Sequence, residues 1–445
     1  MNKKLEEFNN NLIGKKIAII GIGVSNMPLL DYFKDIECEV ILFNEKNIDV
    51  DLSGYNYKCY FGDNCLDNLV GFDIIFRSPS CLPNRKEIMA ERNRGCYVTT
   101  EVEEVIKLSP SKIIGVTGSD GKTTTTTLID LVLRANGYNT YLGGNIGTPL
   151  FTKIKDMTED DVVVLELSSF QLMNMEVSPS RSVITNISPN HLDIHGSYEE
   201  YIEAKKNIYK NSDGILVING DNEITSKIDS SRKVRYFSRY NQTNCFYTID
   251  GIIYFNGKKV FDTSKLKIRG VHNHENICAC MSVLYDMVDI DKSFEAIANF
   301  AGVEHRLEFV RELNGVKWYN DSVSSSPTRT IAGLKSYDEE IVLIAGGYDK
   351  NLDYTPIARP ILDKVKVLIL FGDTRDKIYD VVINEKTIED VDIYLCDSLS
   401  DVVNKAYEVS KAGQVVLFSP ASASFDMFKN FADRGIKFKE LVNKL

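Results

Sequence analysis

The sequence predicts an α/β protein built from three domains with largely parallel sheets. Short apolar runs typical of strands alternate with helical patterns along the whole chain, as expected for parallel α/β layers. The length of 445 residues exceeds one ordinary core, since a domain holds roughly 100–200 residues. Breaks in the pattern divide the chain into predicted domains 1–109, 110–301 and 302–445.

The composition is that of a globular protein without a nucleic-acid partner. Hydrophobic residues make up 43% of the chain, charged residues 26%, and the formal net charge is -11. This charge disfavours a polyanion as the main partner. No apolar run approaches the roughly 20 residues needed to cross a bilayer, and no apolar signal core follows the N-terminal lysines. We therefore expect a cytoplasmic protein with no membrane partner.

The nine cysteines are scattered, and an odd number cannot pair completely within one chain. Cys278 and Cys280 are closely spaced, but no second pair completes a zinc site. We expect reduced and mostly buried thiols, which fits a reducing cytosol.

The predicted first domain begins with a βαβ unit around a glycine turn, Gly21-Ile22-Gly23. Such a turn, taken alone, weakly suggests a dinucleotide such as NAD. Asn26 stands where a third glycine would be, and Asn44 follows the second strand where an acid is expected. Strands are predicted at 16–20, 40–43, 73–76 and 97–99, with a helix at 27–33.

The predicted second domain opens with the most informative stretch, a strand from Ile113 that leads through a glycine-rich turn to Gly121-Lys122-Thr123 and a helix. Glycines let backbone N–H groups surround phosphate oxygens, and the helix N-terminus adds positive potential. Lys122 is expected to reach the β/γ-phosphates and the Thr123 hydroxyl to join a magnesium ion. The loop is a variant, because Val116 occupies the first glycine position of the common motif.

Two further strand ends in this domain carry polar residues. A predicted strand at 161–166 ends in Glu166, for which metal ligation is favoured over a merely solvated acid because the phosphate loop is nearby in sequence. A strand from Val183 leads to His191 and His195, two of only five histidines. In the third domain, strands are predicted at 341–344, 365–371 and 415–418. Arg306 suits a phosphate contact, although a surface arginine is an equal alternative.

These motifs together resemble the Mur ligase family. The matching segments are 117–124, 143–147, 166–172, 190–195, 270–276, 305–306 and 320–322, in order along nearly the whole chain. The resemblance implies an ATP-dependent carbon–nitrogen ligase of peptidoglycan precursor synthesis that acts as a monomer. It implies an N-terminal Rossmann-like domain for a UDP-sugar, a central P-loop ATPase-like domain with a parallel sheet for ATP and Mg2+, and a C-terminal Rossmann-like domain for an amino acid. No nicotinamide cofactor is expected.

Segments 166–172 and 419–431 most resemble family members that add D-glutamate to UDP-N-acetylmuramoyl-L-alanine through an acyl phosphate. Three alternatives remain open: a sister or folylpolyglutamate-type ligase using another amino acid, a non-catalytic nucleotide-binding subunit, and a plain Rossmann oxidoreductase.

The resemblance also assigns roles to individual residues. The implied catalytic residues are Lys122, His191 and Lys205. Lys205 matches a lysine that the family carbamylates, although its neighbour Lys206 leaves that assignment open. The implied metal ligands are Thr123, Glu166, His191 and Lys205. The implied ATP-binding residues are Gly118, Ser119, Asp120, Gly121, Lys122, Thr123, Thr124, Asn276, Arg306 and Asp321. The implied substrate-binding residues are Ser25, Asn26, Asn44, Ser78, Asn145, Ser325, Lys350, Ser424 and Phe431.

The chain departs from the family pattern after Asp321-Ser322. Many relatives continue with Lys-Ala-Thr-Asn, whereas this chain has Val323 in place of the lysine. A role of that lysine therefore cannot be carried over, while Ser325 can offer a hydroxyl where relatives use threonine.

Overall fold

The computed structural model describes residues 2–46, 52–190, 192–268, 270–385 and 391–445. The chain divides into two compact units. The first comprises Met1–Leu266 and Val271–Ala298, and the second comprises Lys267–Gly270 and Asn299–Leu445.

The first unit begins with a five-stranded sheet whose strands are all parallel, in the order β3-β2-β1-β4-β5. Its strands are β1 Lys16–Ile20, β2 Glu39–Asn44, β3 Lys58–Phe61, β4 Ile74–Arg77 and β5 Tyr97–Thr99. The accompanying helices are α1 Lys3–Leu12, α2 Met27–Lys34, α3 Lys86–Asn93 and α4 Glu101–Leu108. Near-continuous apolar burial along β1 and β2 is typical of strands covered on both faces.

A second, six-stranded parallel sheet follows in the same unit, in the order β11-β10-β9-β6-β8-β7. Its strands are β6 Lys112–Thr117, β7 Thr140–Gly144, β8 Val162–Glu166, β9 Arg181–Ile184, β10 Ile215–Asn219 and β11 Lys233–Phe237. An antiparallel sheet is formed by β12 Phe246–Ile249, β13 Ile252–Phe255 and β14 Lys258–Asp262. The helices are α5 Lys122–Ala135, α6 Ser169–Leu172, α7 Leu192–His195, α8 Tyr198–Lys206, α9 His272–Leu284 and α10 Ile290–Ala298.

The two parallel sheets of the first unit share one hydrophobic core. The Phe151 ring contacts the rings of Tyr32 and Phe76 at centroid distances of 4.8 and 6.1 Å. The buried Glu101 carboxylate at the start of α4 accepts the backbone N–H groups of Leu150 and Phe151 at 2.7 and 2.8 Å. The connection between α4 and β6 is likewise buried, so the two sheets pack as one body.

The second unit is a six-stranded sheet in the order β15-β16-β20-β17-β18-β19. Only the β15–β16 pair is antiparallel. The strands are β15 Glu308–Leu313, β16 Val316–Asn320, β17 Ile341–Gly346, β18 Val365–Phe371, β19 Asp392–Leu395 and β20 Val415–Phe418. The helices are α11 Pro327–Leu334, α12 Ala358–Lys364, α13 Arg375–Glu385, α14 Leu399–Val409 and α15 Phe431–Lys444.

The predicted α/β class with largely parallel sheets is confirmed. The strands expected at 16–20, 97–99, 365–371 and 415–418 have these bounds in the structure, and the other predicted strands differ by a few residues at their ends. The antiparallel sheet β12–β14 and the β15–β16 hairpin were not predicted. No helix of the described residues is long and apolar enough to span a membrane.

Candidate active site

The glycine-rich loop, residues 118–121, connects β6 to α5. Gly118 has φ 153°, and a Cβ there would lie 1.9 Å from Thr185 Oγ1, so only glycine fits this position. The Lys122 ammonium donates to the carbonyls of Gly118 and Ser119 at 2.8 and 3.0 Å. The Lys122 side chain therefore folds back over the glycine-rich loop, which directly follows the buried strand β6. Thr123 and Thr124 lie in the first turn of α5.

Hydrogen bonds tie this loop to the end of β9. The Ser119 hydroxyl donates to Ser188 O and accepts the Ser188 N–H, both at 2.9 Å. The same hydroxyl lies 2.9 Å from the Tyr201 hydroxyl, which therefore donates to it. The Asp120 N–H donates to Asn186 Oδ1 at 3.0 Å. The loop is thus fixed from β9 and from α8.

Lys205, also on α8, is buried directly beneath the loop. It is 1% exposed, and its ammonium donates to Gly118 O at 2.8 Å and Thr117 Oγ1 at 3.3 Å. The ammonium also faces the Tyr201 ring, 4.7 Å from the centroid. Burial lowers the pKa of Lys205 well below its usual range, and the charge of Lys122 lowers it further. Lys206, in contrast, pairs with Glu203 at 2.7 Å near the surface.

Glu166, at the end of β8, has one carboxylate oxygen free for a ligand. Asn145 Nδ2 donates to Glu166 Oε1 at 2.8 Å. Oε2 is buried and has no hydrogen-bond partner among the described residues. A buried carboxylate oxygen without a partner is costly, and a hard cation is the kind of ligand that offsets this cost. The donor set therefore fits magnesium.

The segment after β9 carries two histidines, of which His191 is the predicted metal ligand. His191 lies outside the described residues. His195 is fully buried: its Nε2 lies 2.9 Å from Ser169 Oγ, and its ring stacks on Phe170 with centroids 5.1 Å apart. Within the described part of the chain, no three His, Cys, Asp or Glu side chains cluster as a metal site.

Asn276 lies on α9, which packs against α5. It is 5% exposed, and its Oδ1 accepts the Thr125 hydroxyl at 3.3 Å while its Nδ2 donates to Asn273 Oδ1 at 2.9 Å. These bonds place Asn276 beside the first turns of α5.

A second group of predicted residues meets at the carboxyl ends of β1, β2 and β4. A Cβ on Gly21, which has φ 82°, would lie 2.2 Å from Ser78 Oγ. Asn44 Oδ1 accepts the Ile22 N–H at 2.9 Å. Buried Asn26 donates to the carbonyls of residues 20 and 21 at 3.0 and 3.1 Å, and Ser25 precedes it in the same turn. Ligands of parallel sheets bind at this kind of edge.

In the second unit, Asp321 follows β16 and is buried. Its Oδ1 accepts the Leu307 N–H at 3.2 Å, and its Oδ2 accepts the hydroxyls of Ser324 and Ser419 at 2.6 and 2.7 Å. Burial raises the pKa of Asp321 to about 6, against these hydrogen bonds and the charge of Arg306. The carboxylate therefore already organises the loop after β16, and its implied contact with ATP stays a prediction.

The residues predicted for the amino acid lie on loops of this same sheet. Lys350 follows β17 and is exposed, with its ammonium 5.6 Å from the Phe425 centroid. Ser424 follows β20 and is 2% exposed, whereas Phe431 begins α15 and is 43% exposed. Ser325 is half-buried in the loop after β16.

Two residues that were not predicted hold these loops in place. Tyr201 connects Ser119 to Lys205, and its spacing of four residues from Lys205 places both on one helical face. Arg434 is fully buried and donates to Ser322 Oγ at 3.1 Å, Ala423 O at 2.7 Å and the carbonyls of residues 322 and 422 at 2.9 and 3.0 Å. Arg434 thus joins the loops after β16 and β20.

Two segments of the chain match Mur ligase domains. The Mur ligase middle domain matches residues 116–284, and the Mur ligase glutamate ligase domain matches residues 305–422. A solved UDP-N-acetylmuramate-alanine ligase from Thermotoga maritima has a similar fold, with a TM-score of 0.62, 20% identity and coverage of 97% of this chain and 99% of that one. The chain belongs to the Mur ligase family.

Within the family, the chain is similar over its full length to ligases whose name specifies D-glutamate. It is 45% identical to the UDP-N-acetylmuramoylalanine--D-glutamate ligase of Clostridium botulinum (strain 657 / Type Ba4), over 100% of both chains. It is 46% identical to the enzyme of the same name from Clostridium acetobutylicum, again over 100% of both.

Proposed function

We propose that the chain is an enzyme that joins D-glutamate to UDP-N-acetylmuramoyl-L-alanine at the expense of ATP, in peptidoglycan precursor synthesis. The observation that carries this proposal is the 45% identity, over the whole of both chains, to a ligase named for that reaction. The loop geometry supports it, because Lys122 and Glu166 lie at the ends of the adjoining strands β6 and β8, and Lys205 on α8 contacts the loop after β6.

The reaction forms an amide from a carboxylate and an amine, which requires activation of the carboxylate. The alanine carboxylate attacks the γ-phosphate of ATP, which gives an acyl phosphate and ADP. The glutamate amine then displaces phosphate from the acyl carbon. Lys122 exchanges its bonds to the loop carbonyls for phosphate oxygens and neutralises charge during phosphoryl transfer. The loop N–H groups and the start of α5 orient the phosphates.

Magnesium fits the donors at the end of β8. Glu166 and Thr123 would hold a first ion and His191 a second, with a carbamylated Lys205 as the further ligand that the resemblance implies. A magnesium ion supplies charge neutralisation at the transferred phosphoryl group. Asn145 orients the Glu166 carboxylate through Oε1. Asn276, Arg306 and Asp321 are the proposed contacts to the rest of the nucleotide.

The organisation of the chain is proposed to follow the family. Domain 1–109 is Rossmann-like and holds the UDP-sugar at Ser25, Asn26, Asn44 and Ser78. Its parallel strand order supports this assignment. Domain 110–301 is P-loop ATPase-like, and the Rossmann-like domain 302–445 receives the amino acid. Nine free cysteines support a cytoplasmic location. The proposed state is a monomer, for which size-exclusion chromatography is the test.

The experiment is phosphate release from ATP with UDP-N-acetylmuramoyl-L-alanine and, separately, D-glutamate, L-glutamate, L-lysine or a diamino acid. Release that requires both the precursor and D-glutamate is the expected result. Release with another amino acid would assign the chain to a sister ligase. ATP binding without release in any mixture would identify a non-catalytic subunit.

A further inference from the structure

The proposed amino-acid site has fewer cations than its substrate requires. D-Glutamate carries two carboxylates, whereas Ser325, Lys350, Ser424 and Phe431 include a single cation. A carboxylate that leaves water for a protein site needs a charged or strongly donating partner. A second cation or strongly donating group is therefore expected close to these residues.

The loops that carry these residues leave the sheet at one edge. β16 and β17 both run parallel to β20, which lies between them. The segments after their carboxyl ends therefore emerge side by side. A second cation for this site would therefore lie on the loops after β16, β20 and β17 or on the helix starts that follow them.

Arg329, in the first turn of α11, lies over the loop after β16. Its Nη1 donates to Val323 O at 3.3 Å, and the residue is exposed. This contact holds the guanidinium at the segment that contains Ser325. In the described part of the chain, no carboxylate forms an ion pair with Arg329. A guanidinium held by one carbonyl bond retains donors for a bidentate carboxylate contact.

Several other cations near this edge are already engaged. Arg434 donates to groups of the loops after β16 and β20. Arg375 pairs with Asp397 at 2.7 Å, and Lys377 pairs with Asp349. Lys437 pairs with Asp433 at 3.0 Å, whereas Lys429 contacts that carboxylate through its backbone N–H at 3.2 Å. Among these groups, Arg329 is an exposed cation bonded to the loop after β16, and Lys350 is an exposed cation of the loop after β17.

We propose that Arg329 binds one carboxylate of the incoming D-glutamate while Lys350 binds the other. This inference rests on the proposed function and deepens it. Arg329 also supplies a positive charge in the loop where Val323 replaces the lysine of many relatives. The pair of cations makes the site selective for an amino acid with two carboxylates.

The test compares Arg329→Gln, Arg329→Lys and the control Arg359→Gln in the phosphate-release assay, with D-glutamate varied at saturating ATP and UDP-N-acetylmuramoyl-L-alanine. Arg359 is an exposed arginine of the same unit that pairs with Asp363 at 2.9 Å on α12. We expect Arg329→Gln to raise the KM for D-glutamate about 10- to 100-fold, as loss of a charge-assisted contact does. Arg329→Lys keeps the positive charge but loses the bidentate guanidinium, so it raises the KM for D-glutamate about fivefold. The control Arg359→Gln leaves this KM unchanged.

Separate readouts distinguish the possible failures. An unchanged KM for D-glutamate in Arg329→Gln would overturn the inference, as would a rise confined to the KM for ATP or the UDP-linked substrate. Absence of D-glutamate-dependent turnover in the unmodified enzyme would instead refute the proposed function itself. Thermal unfolding checks that each variant folds, and we expect no loss of stability because Arg329 has a single weak bond to the fold.

Discussion

Removing the Tyr201 hydroxyl tests whether the link between α8 and the glycine-rich loop supports catalysis. In Tyr201→Phe the ring remains beneath Lys205, while the 2.9 Å bond to Ser119 is lost. The Ser119 hydroxyl keeps both of its bonds to Ser188, so the loss of folding free energy is about 1 kcal/mol, the worth of one neutral hydrogen bond. The loop then becomes less restrained, and small displacements of catalytic groups are costly, so we expect kcat to fall about 10-fold.

The assay is steady-state phosphate release, with KM values for ATP and D-glutamate determined alongside kcat. Tyr138→Phe is the matched control, since its hydroxyl donates to Met287 O at 2.9 Å in the same unit, on no loop of the site. Ser119→Ala and the double variant Ser119→Ala/Tyr201→Phe complete a double-mutant cycle. We expect the effects of the two substitutions on kcat to be non-additive. A Tyr201→Phe enzyme with the kcat of the unmodified protein, or purely additive effects, would refute the reasoning.

Three further predictions concern turnover and stability. Lys122→Ala lowers kcat by at least about 100-fold, because phosphoryl transfer loses the cation of the glycine-rich loop. Near-normal phosphate release in this variant would refute the catalytic role of Lys122. Burial raises the pKa of Glu101 to about 7, above its unfolded value, so the stability of the unmodified protein falls by about 2 kcal/mol as pH rises from about 5 to 8. In urea unfolding Glu101→Gln lacks this decline, and an identical decline in the variant would contradict the prediction. Burial favours neutral Asp286, but hydrogen bonds from Arg181 and Arg235 outweigh it and hold the pKa well below its usual range. Asp286→Asn therefore costs about 2 kcal/mol at neutral pH, discounted for partial exposure, and the difference closes as pH falls below about 4. A difference in unfolding free energy that persists in acid would show that the ion pairs are not its source.

The sequence predicted most of the parallel strands because each is a continuous apolar run. β18 and β20, for example, are buried along nearly their whole length. Among the antiparallel elements, β15 consists of half-buried and exposed positions and carries charges, so it has no apolar run to recognise. β12 and β16 are largely buried, but a polar residue interrupts each apolar run.

Residues of the candidate site could be predicted where a backbone motif defines them. They could not be predicted where only burial in the folded protein distinguishes a residue from its neighbour. The glycine spacing indicated Lys122, whereas Lys205 and Lys206 are equivalent by composition. Adjacent helical residues point about 100° apart, and only the packing of α8 shows that Lys205 is the buried one. Arg434 could not be predicted, because its bonds to Ser322 and to the carbonyls of residues 422 and 423 form only when the loops after β16 and β20 meet.

The position of Phe151 constrains how this chain can be recombined with its relatives. Phe151 follows β7 of the second sheet, yet its ring packs against residues that precede β6. A graft exchanged at residue 109 would separate this ring and the Glu101 carboxylate from their partners. Chimaeras that fold should therefore exchange residues 1–109 together with the segment around 150–156. The first domain cannot be replaced without this part of the second.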